Sequence, residues 1–193
     1  MPLPYFEFTL KCQKKLAEFT RYYFKQFTCG KNVYVETIPI PAQLKEELDL
    51  ELASLKLPPS GTFLGFKRKN EFNYHLDTMH IDANEFGDKV HVSIVIPVDN
   101  CVNTKMYWVD GNTSEKLETT ADGSYFFKVF TRGDYQYVYP IEISSNPFIT
   151  KVSIPHSATT RVDGTYRTTL TIRFRDNVLF EDIKQIYNND TSA

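Results

Sequence analysis

Past Pro58-Pro59-Ser60-Gly61 the chain changes texture, and this change constrains the fold more than any other feature. Short runs rich in Val, Ile, Tyr, Phe and Thr alternate with Asp-Gly, Gly-Asn, Arg-Gly-Asp and Asn-Pro punctuation, the pattern of strands joined by turns. The runs cover 72–82, 89–98, 105–109, 125–130, 135–143, 149–154 and 166–174. No helical stretch separates them, so the strands cannot be parallel units with helical crossovers. Helices come first instead. Cys12, Leu16, Phe19, Tyr23 and Phe27 form one apolar stripe over 8–27, which Gly30 ends. Leu44, Leu48, Leu52 and Leu55 form a second over 43–55, opened by Pro41. A last helix is expected over 179–187, and 110–123 reads as a surface loop. The sum is a mainly β chain with N-terminal helices, a sandwich or jelly roll backed by a helical layer. With 193 residues this is expected to be one domain: a helical support layer over 1–60, a β core over 62–175 and a C-terminal helix or tail over 176–193.

Charge is nearly balanced, with 22 Lys and Arg against 24 Asp and Glu, so the total demands neither a nucleic acid nor an anionic membrane as partner. Cys12, Cys29 and Cys101 are odd in number and far apart, which argues against a disulfide framework and for buried thiols in a reducing compartment. Met1-Pro2-Leu3-Pro4 has no charged start or long apolar run, and no window reaches membrane-spanning length. A soluble cytoplasmic protein is expected. The sequence carries no signal for its oligomeric state.

Chemistry is concentrated in His80-Ile81-Asp82, where residues two apart on a strand share a face, so imidazole and carboxylate can meet one metal ion. His75-Leu76-Asp77 is a second copy, but only the first runs into a turn-rich segment, 83–88, that carries a strand end to a barrel mouth. A third ligand would be His156, sharing even parity with Val152 and Ile154; taken alone it reads more readily as a core or loop histidine bonded to a carbonyl. Two imidazoles and one carboxylate suit ferrous iron and leave three coordination positions for a chelating co-substrate and dioxygen. In 166–174 the even positions are apolar apart from Thr168, whereas Arg167, Thr169, Thr171 and Arg173 are polar. That polar face is either solvated or turned into the barrel, where Arg167 needs an anion and a carboxylate is its best geometric match.

The ordered set His80-x-Asp82, His156 and, eleven positions later, Arg167-x-Thr169 resembles the signature of the Fe(II)/2-oxoglutarate-dependent oxygenases. The likeness covers roughly 72–174, with Val92-Ser93-Ile94-Val95-Ile96-Pro97 resembling the strand that follows the H-x-D turn. It implies a double-stranded β-helix, cupin-like, behind N-terminal helices. It implies that His80, Asp82 and His156 are the catalytic metal ligands and that Arg167 with Thr169 anchors the distal carboxylate of 2-oxoglutarate. The reaction it implies consumes dioxygen, releases succinate and CO2, and hydroxylates a small molecule or a protein residue; the retained Asp82 favours hydroxylation or oxidative demethylation over halogenation. The run Arg167-Thr168-Thr169-Leu170-Thr171-Ile172-Arg173 also resembles the R-x-N-x-T-x-R of alkylation-repair demethylases, in which the second arginine approaches the metal-bound aspartate. Thr169 departs from that pattern, so nucleic-acid demethylation stands as an alternative, as does a non-catalytic jelly-roll binding module. Lys11, Lys14, Lys15, Arg21 and Lys25 on the first helix, and a loop Lys67-Arg68-Lys69, read as solvated charge. Tyr107 and Trp108 are pocket or core residues, and Tyr135, Tyr137 and Tyr139 read as one packed sheet face.

Overall fold

A computed structural model describes residues 3–26, 33–69, 78–84, 86–102, 104–110, 115–119, 126–131, 136–158 and 165–191; for 33–34, 78–80, 109–110, 115–119, 126–131, 136–140 and 189–191 it describes the backbone alone. The elements are, in order, β1 (Tyr5–Glu7), α1 (Gln13–Lys25), β2 (Val33–Thr37), α2 (Ala42–Ser54), β3 (Ser60–Lys69), β4 (Thr78–Ala83), β5 (Val92–Asp99), β6 (Lys105–Asp110), β7 (Glu115–Thr119), β8 (Phe126–Thr131), β9 (Gln136–Glu142), β10 (Phe148–Lys151), β11 (His156–Ala158), β12 (Tyr166–Phe174) and α3 (Phe180–Thr191). The strands make two antiparallel sheets, ordered β1-β10-β5-β12-β3-β2 and β7-β8-β4-β11-β6-β9. From β3 to β6, and again from β10 to β12, successive strands fall in opposite sheets.

One face of the first sheet carries the main core. Leu170, Ile172 and Phe174 of β12 and Ile94 and Ile96 of β5 pack with Leu16 and Phe24 of α1, Leu48 and Leu52 of α2, and Phe180 and Ile183 of α3. Gly65 makes the close approach possible: a Cβ there would run into the side chains of Ile38 and Phe24. Between the sheets lies a smaller apolar group, Val95, Cys101, Met106, Trp108, Ile143 and Phe148. Trp108 is thus core, stacked on Tyr5 at 5.9 Å with its Nε1–H donated to the Lys151 carbonyl.

Several expectations are corrected. The first helix begins at Gln13, not residue 8, because Glu51 of α2 accepts the backbone N–H groups of Lys11 and Cys12 and caps it there; Phe8 is buried but extended, donating to Pro147. Lys67-Arg68-Lys69 is no loop but the end of β3, whose two buried faces hide the period-two alternation. β1 and β2 add edge strands within 1–60, too short to read as runs. β7 lies inside the expected 110–123 loop; it is a charged edge strand, a composition that guards an open edge. The expected 149–154 strand ends at Lys151, after which the chain crosses to the second sheet and starts β11. His75 and Tyr135 lie outside the described residues, as do the side chains of Tyr137 and Tyr139.

Candidate metal centre

β4 and β11 are neighbours in the second sheet, and His156 is the direct Cα partner of His80. Residues directly opposite in an antiparallel ladder lie on one face, and Asp82 lies two positions along from His80. The register therefore places all three predicted ligand positions on the same face. Asp82 and His156 are 2% and 5% exposed, and His156 Nε2 stands 3.9 Å from Asp82 Oδ1. His156 Nδ1 lies 3.0 Å from the Ile154 carbonyl, which can only accept, so Nδ1 carries a proton and Nε2 is the nitrogen turned toward Asp82. Two donors bonded to one ion at about 2.1 Å are separated by about 3.0 to 4.2 Å, depending on the angle between them. Donors on one face of an octahedral ion are mutually cis, at the lower end of that span, and the observed gap is wider, so His156 and Asp82 would have to draw together to hold one ion. Among the described residues no three His, Cys, Asp or Glu side chains cluster; the His80 side chain lies outside them.

The polar face of β12 looks across at this pair. Arg173 donates Nη2–H to Asp82 Oδ2 at 3.3 Å and Nη1–H to the Ala83 carbonyl at 3.0 Å, joining the two sheets. Thr169 and Thr171 on the same face are 6% and 7% exposed, so this face is interior rather than solvated. Arg167 shares that face, directly opposite Arg68 of β3, whose Nη1 donates to Ala158 of β11 at 3.4 Å. Arg167 Nε is buried and has no hydrogen-bond partner among the described residues; nor does Ser93 Oγ, on the position of β5 opposite Arg173. Orphaned polar atoms in a closed interior fit a bound polar ligand.

Sequence reasoning found Asp82, His156 and Arg167 on the inner face, and His80 in register with them. It passed over Arg68 and Ser93. Arg68 was masked by its two lysine neighbours, although Leu64, Phe66 and Arg68 continue one face of β3. Ser93 was hidden in a run that is apolar on both sides. Cys12 is no rival site: burial first, and then Glu51, push its thiol up to about 12, so it stays protonated.

No family model matches the chain, and no curated protein matches it. Solved structures similar to it include a prolyl-4-hydroxylase from Pseudomonas putida, 14% identical, covering 92% of this chain and 95% of that one at TM-score 0.44. HygX from Streptomyces hygroscopicus, solved with nickel and 2-oxoglutarate bound, is 10% identical over 89% of this chain and 82% of its own at TM-score 0.48. An oxidoreductase of the 2OG-Fe(II) oxygenase family from Burkholderia pseudomallei is 10% identical over 76% and 68%, at TM-score 0.37.

Proposed function

We propose that this chain is an Fe(II)/2-oxoglutarate-dependent dioxygenase of the double-stranded β-helix fold. His80, Asp82 and His156 hold the metal, and Arg167 with Thr169 receives the distal carboxylate of 2-oxoglutarate. The observation that carries this reading is the buried approach of His156 Nε2 to Asp82 Oδ1 at 3.9 Å, with His80 in register on the same face. The passage of successive strands between two facing sheets supports the jelly-roll assignment.

When bound, iron, 2-oxoglutarate and dioxygen supply an oxidation that releases succinate and CO2 and hydroxylates a C–H bond. The protein's part is positional and electrostatic. The Ile154 carbonyl fixes the His156 tautomer and ring. Arg173 occupies Oδ2 of Asp82, which leaves Oδ1 on the side of His156. Two neutral imidazoles and one carboxylate leave a divalent ion with net positive charge, and Arg173 and Arg167 add to it. Such a field would favour a dianionic co-substrate, with Arg167 the residue that would receive its far carboxylate. Val95, Trp108 and Phe148 close the interior beside the polar face and keep water out.

A small molecule or a protein residue is the substrate class best supported. Lys15 of α1 is paired with Glu47, which reduces the charge that this part of the helix offers to a phosphate backbone. The Arg173 to Asp82 contact favours nucleic-acid demethylation as the second reading, since that is the placement the R-x-N-x-T-x-R resemblance implies. A reducing, cytoplasmic setting is supported by the free thiols of Cys12 and Cys101.

Anaerobic addition of Fe(II) and 2-oxoglutarate tests the reading. A weak visible charge-transfer band is expected, and it disappears in Asp82→Ala. Arg167→Ala is expected to weaken 2-oxoglutarate binding by about 2–5 kcal/mol, the cost of deleting one partner of a buried charge-assisted pair. A band unchanged in Asp82→Ala removes that residue from the metal shell, and an unchanged 2-oxoglutarate requirement removes Arg167 as the anchor.

A further inference from the structure

The opposite face of the same strand offers a second, unrelated site. A groove of about 340 Å³ opens on the helix side of the first sheet, lined by Arg21, Phe24 and Lys25 of α1, Lys67 of β3, Asp99 of β5 and Tyr166 of β12. Thr168 also lines it, and its neighbours in the strand, Arg167 and Thr169, lie on the inner face. The groove is therefore separated from the candidate metal centre by the thickness of the sheet.

Its lining carries three cations and one carboxylate. Arg21 gives its Nε–H to Asp99 Oδ1 at 2.9 Å and an Nη2–H to the Val98 carbonyl at 3.1 Å, which fixes the guanidinium and leaves further N–H donors on it. Lys67 is held in a similar way: Nζ donates to the Phe24 carbonyl at 3.3 Å and sits 5.1 Å over the Tyr166 ring. An ammonium has three N–H donors, and one bond accounts for one. Among the described residues Lys25 has no hydrogen-bond or ion-pair partner. Asn100, at φ 52, donates its side-chain amide to the Tyr166 carbonyl and pins the rim beside the ring. Two cations fixed by neutral or singly charged partners, a third unpaired among the described residues, and aromatic walls from Phe24 and Tyr166 make a site for an anion attached to a flat apolar body.

We propose that this groove binds a phosphorylated small molecule of mononucleotide size, the phosphate meeting Arg21, Lys25 and Lys67 and the planar group lying against Tyr166. The proposal is independent of the oxygenase reading, because none of these residues belongs to the inner face. The bland alternative is that Lys25 and Lys67 only neutralise the C-terminal end of α1, where Lys67 already caps a carbonyl.

Calorimetric titration of the full chain with inorganic phosphate and with adenosine monophosphate, at low salt and without added metal, separates the two. Saturable binding is expected for both, tighter for the nucleotide, and weaker by about tenfold or more in Lys67→Met and in Lys25→Ala, as expected for loss of a charge-assisted hydrogen bond. Lys11→Ala, which removes an α1-proximal cation outside the groove, is expected to leave binding unchanged. No saturable binding of either anion at about 10 mM, an affinity too weak to count as a site, overturns the proposal. So does equal weakening in Lys11→Ala, which marks diffuse attraction, or wild-type affinity in Lys67→Met with an unchanged melting temperature. Binding of phosphate and nucleotide with equal affinity overturns the role of Tyr166.

Discussion

The two faces of β12 are both buried, yet they are made of opposite materials. Toward the helices stand Leu170 and Ile172, each fully inaccessible; toward the second sheet stand Thr169, Thr171 and Arg173. The first face is explained by folding alone, since apolar area removed from water is the main favourable term. The second is not, because polar groups taken from water gain little unless each finds a partner. Arg167 Nε and Ser93 Oγ, both on the inner side, are buried without a partner among the described residues. A sheet that places such residues where valine would fit is built for something other than stability. The candidate metal centre lies on that side.

The contrast makes its strongest prediction for stability. Leu170→Ala should cost about 2–5 kcal/mol in chemical denaturation, whereas its neighbour Thr171→Val on the inner face should change stability by less than about 1 kcal/mol. A comparable loss at Thr171, where the exchange removes a hydroxyl but no volume, would mean that this hydroxyl has a partner that the fold needs. Gly65→Ala comes next. Its added methyl meets Ile38 and Phe24, so a loss of about 1–3 kcal/mol is expected, read as a lower melting temperature with the inner face unaffected.

Much of this contrast was legible before any coordinates. In 166–174 alternation alone separates the apolar from the polar face, and β12 spans those same residues. What period two cannot supply is the destination of the polar face. Water and a second sheet give the same alternation, and the burial of Thr169 and Thr171, with Arg173 reaching Asp82 across the gap, decides between them. Parity also misled at His156. The residue is buried as expected, and Ile154 packs with the group between the sheets, but Val152, Ile154 and His156 do not continue one strand, because the chain changes sheets in between. β3 and β5 were harder still. Strands buried on both sides lose their alternation, so Arg68 and Ser93 had no pattern to stand out from.

A smaller effect tests the helix side. Asp49 of α2 is pulled two ways: burial raises its carboxyl, but hydrogen bonds from Lys45 and from the Ser60 hydroxyl and N–H outweigh it and hold it below its usual 3.8. A depressed folded-state value stabilises the fold above the unfolded carboxylate range, and the contribution is lost as pH falls through the folded value. Asp49→Asn should therefore cost about 1 kcal/mol at neutral pH, and wild type and variant should converge on acidification below about pH 4. A gap that stays constant with pH would assign the cost to packing.

The most direct test of the inner face is its affinity for a metal ion. Anaerobic titration of the wild-type chain with Fe(II), or with Mn(II) followed by its paramagnetic resonance signal, should give one stoichiometric site. His156→Ala, Asp82→Ala and His80→Ala should each weaken that site by about a hundredfold or more while the protein remains folded, each removing one of three ligands. Stoichiometric binding that survives all three substitutions, or no binding in the wild type, would contradict the account and leave the polar interior of this fold without the purpose given to it here.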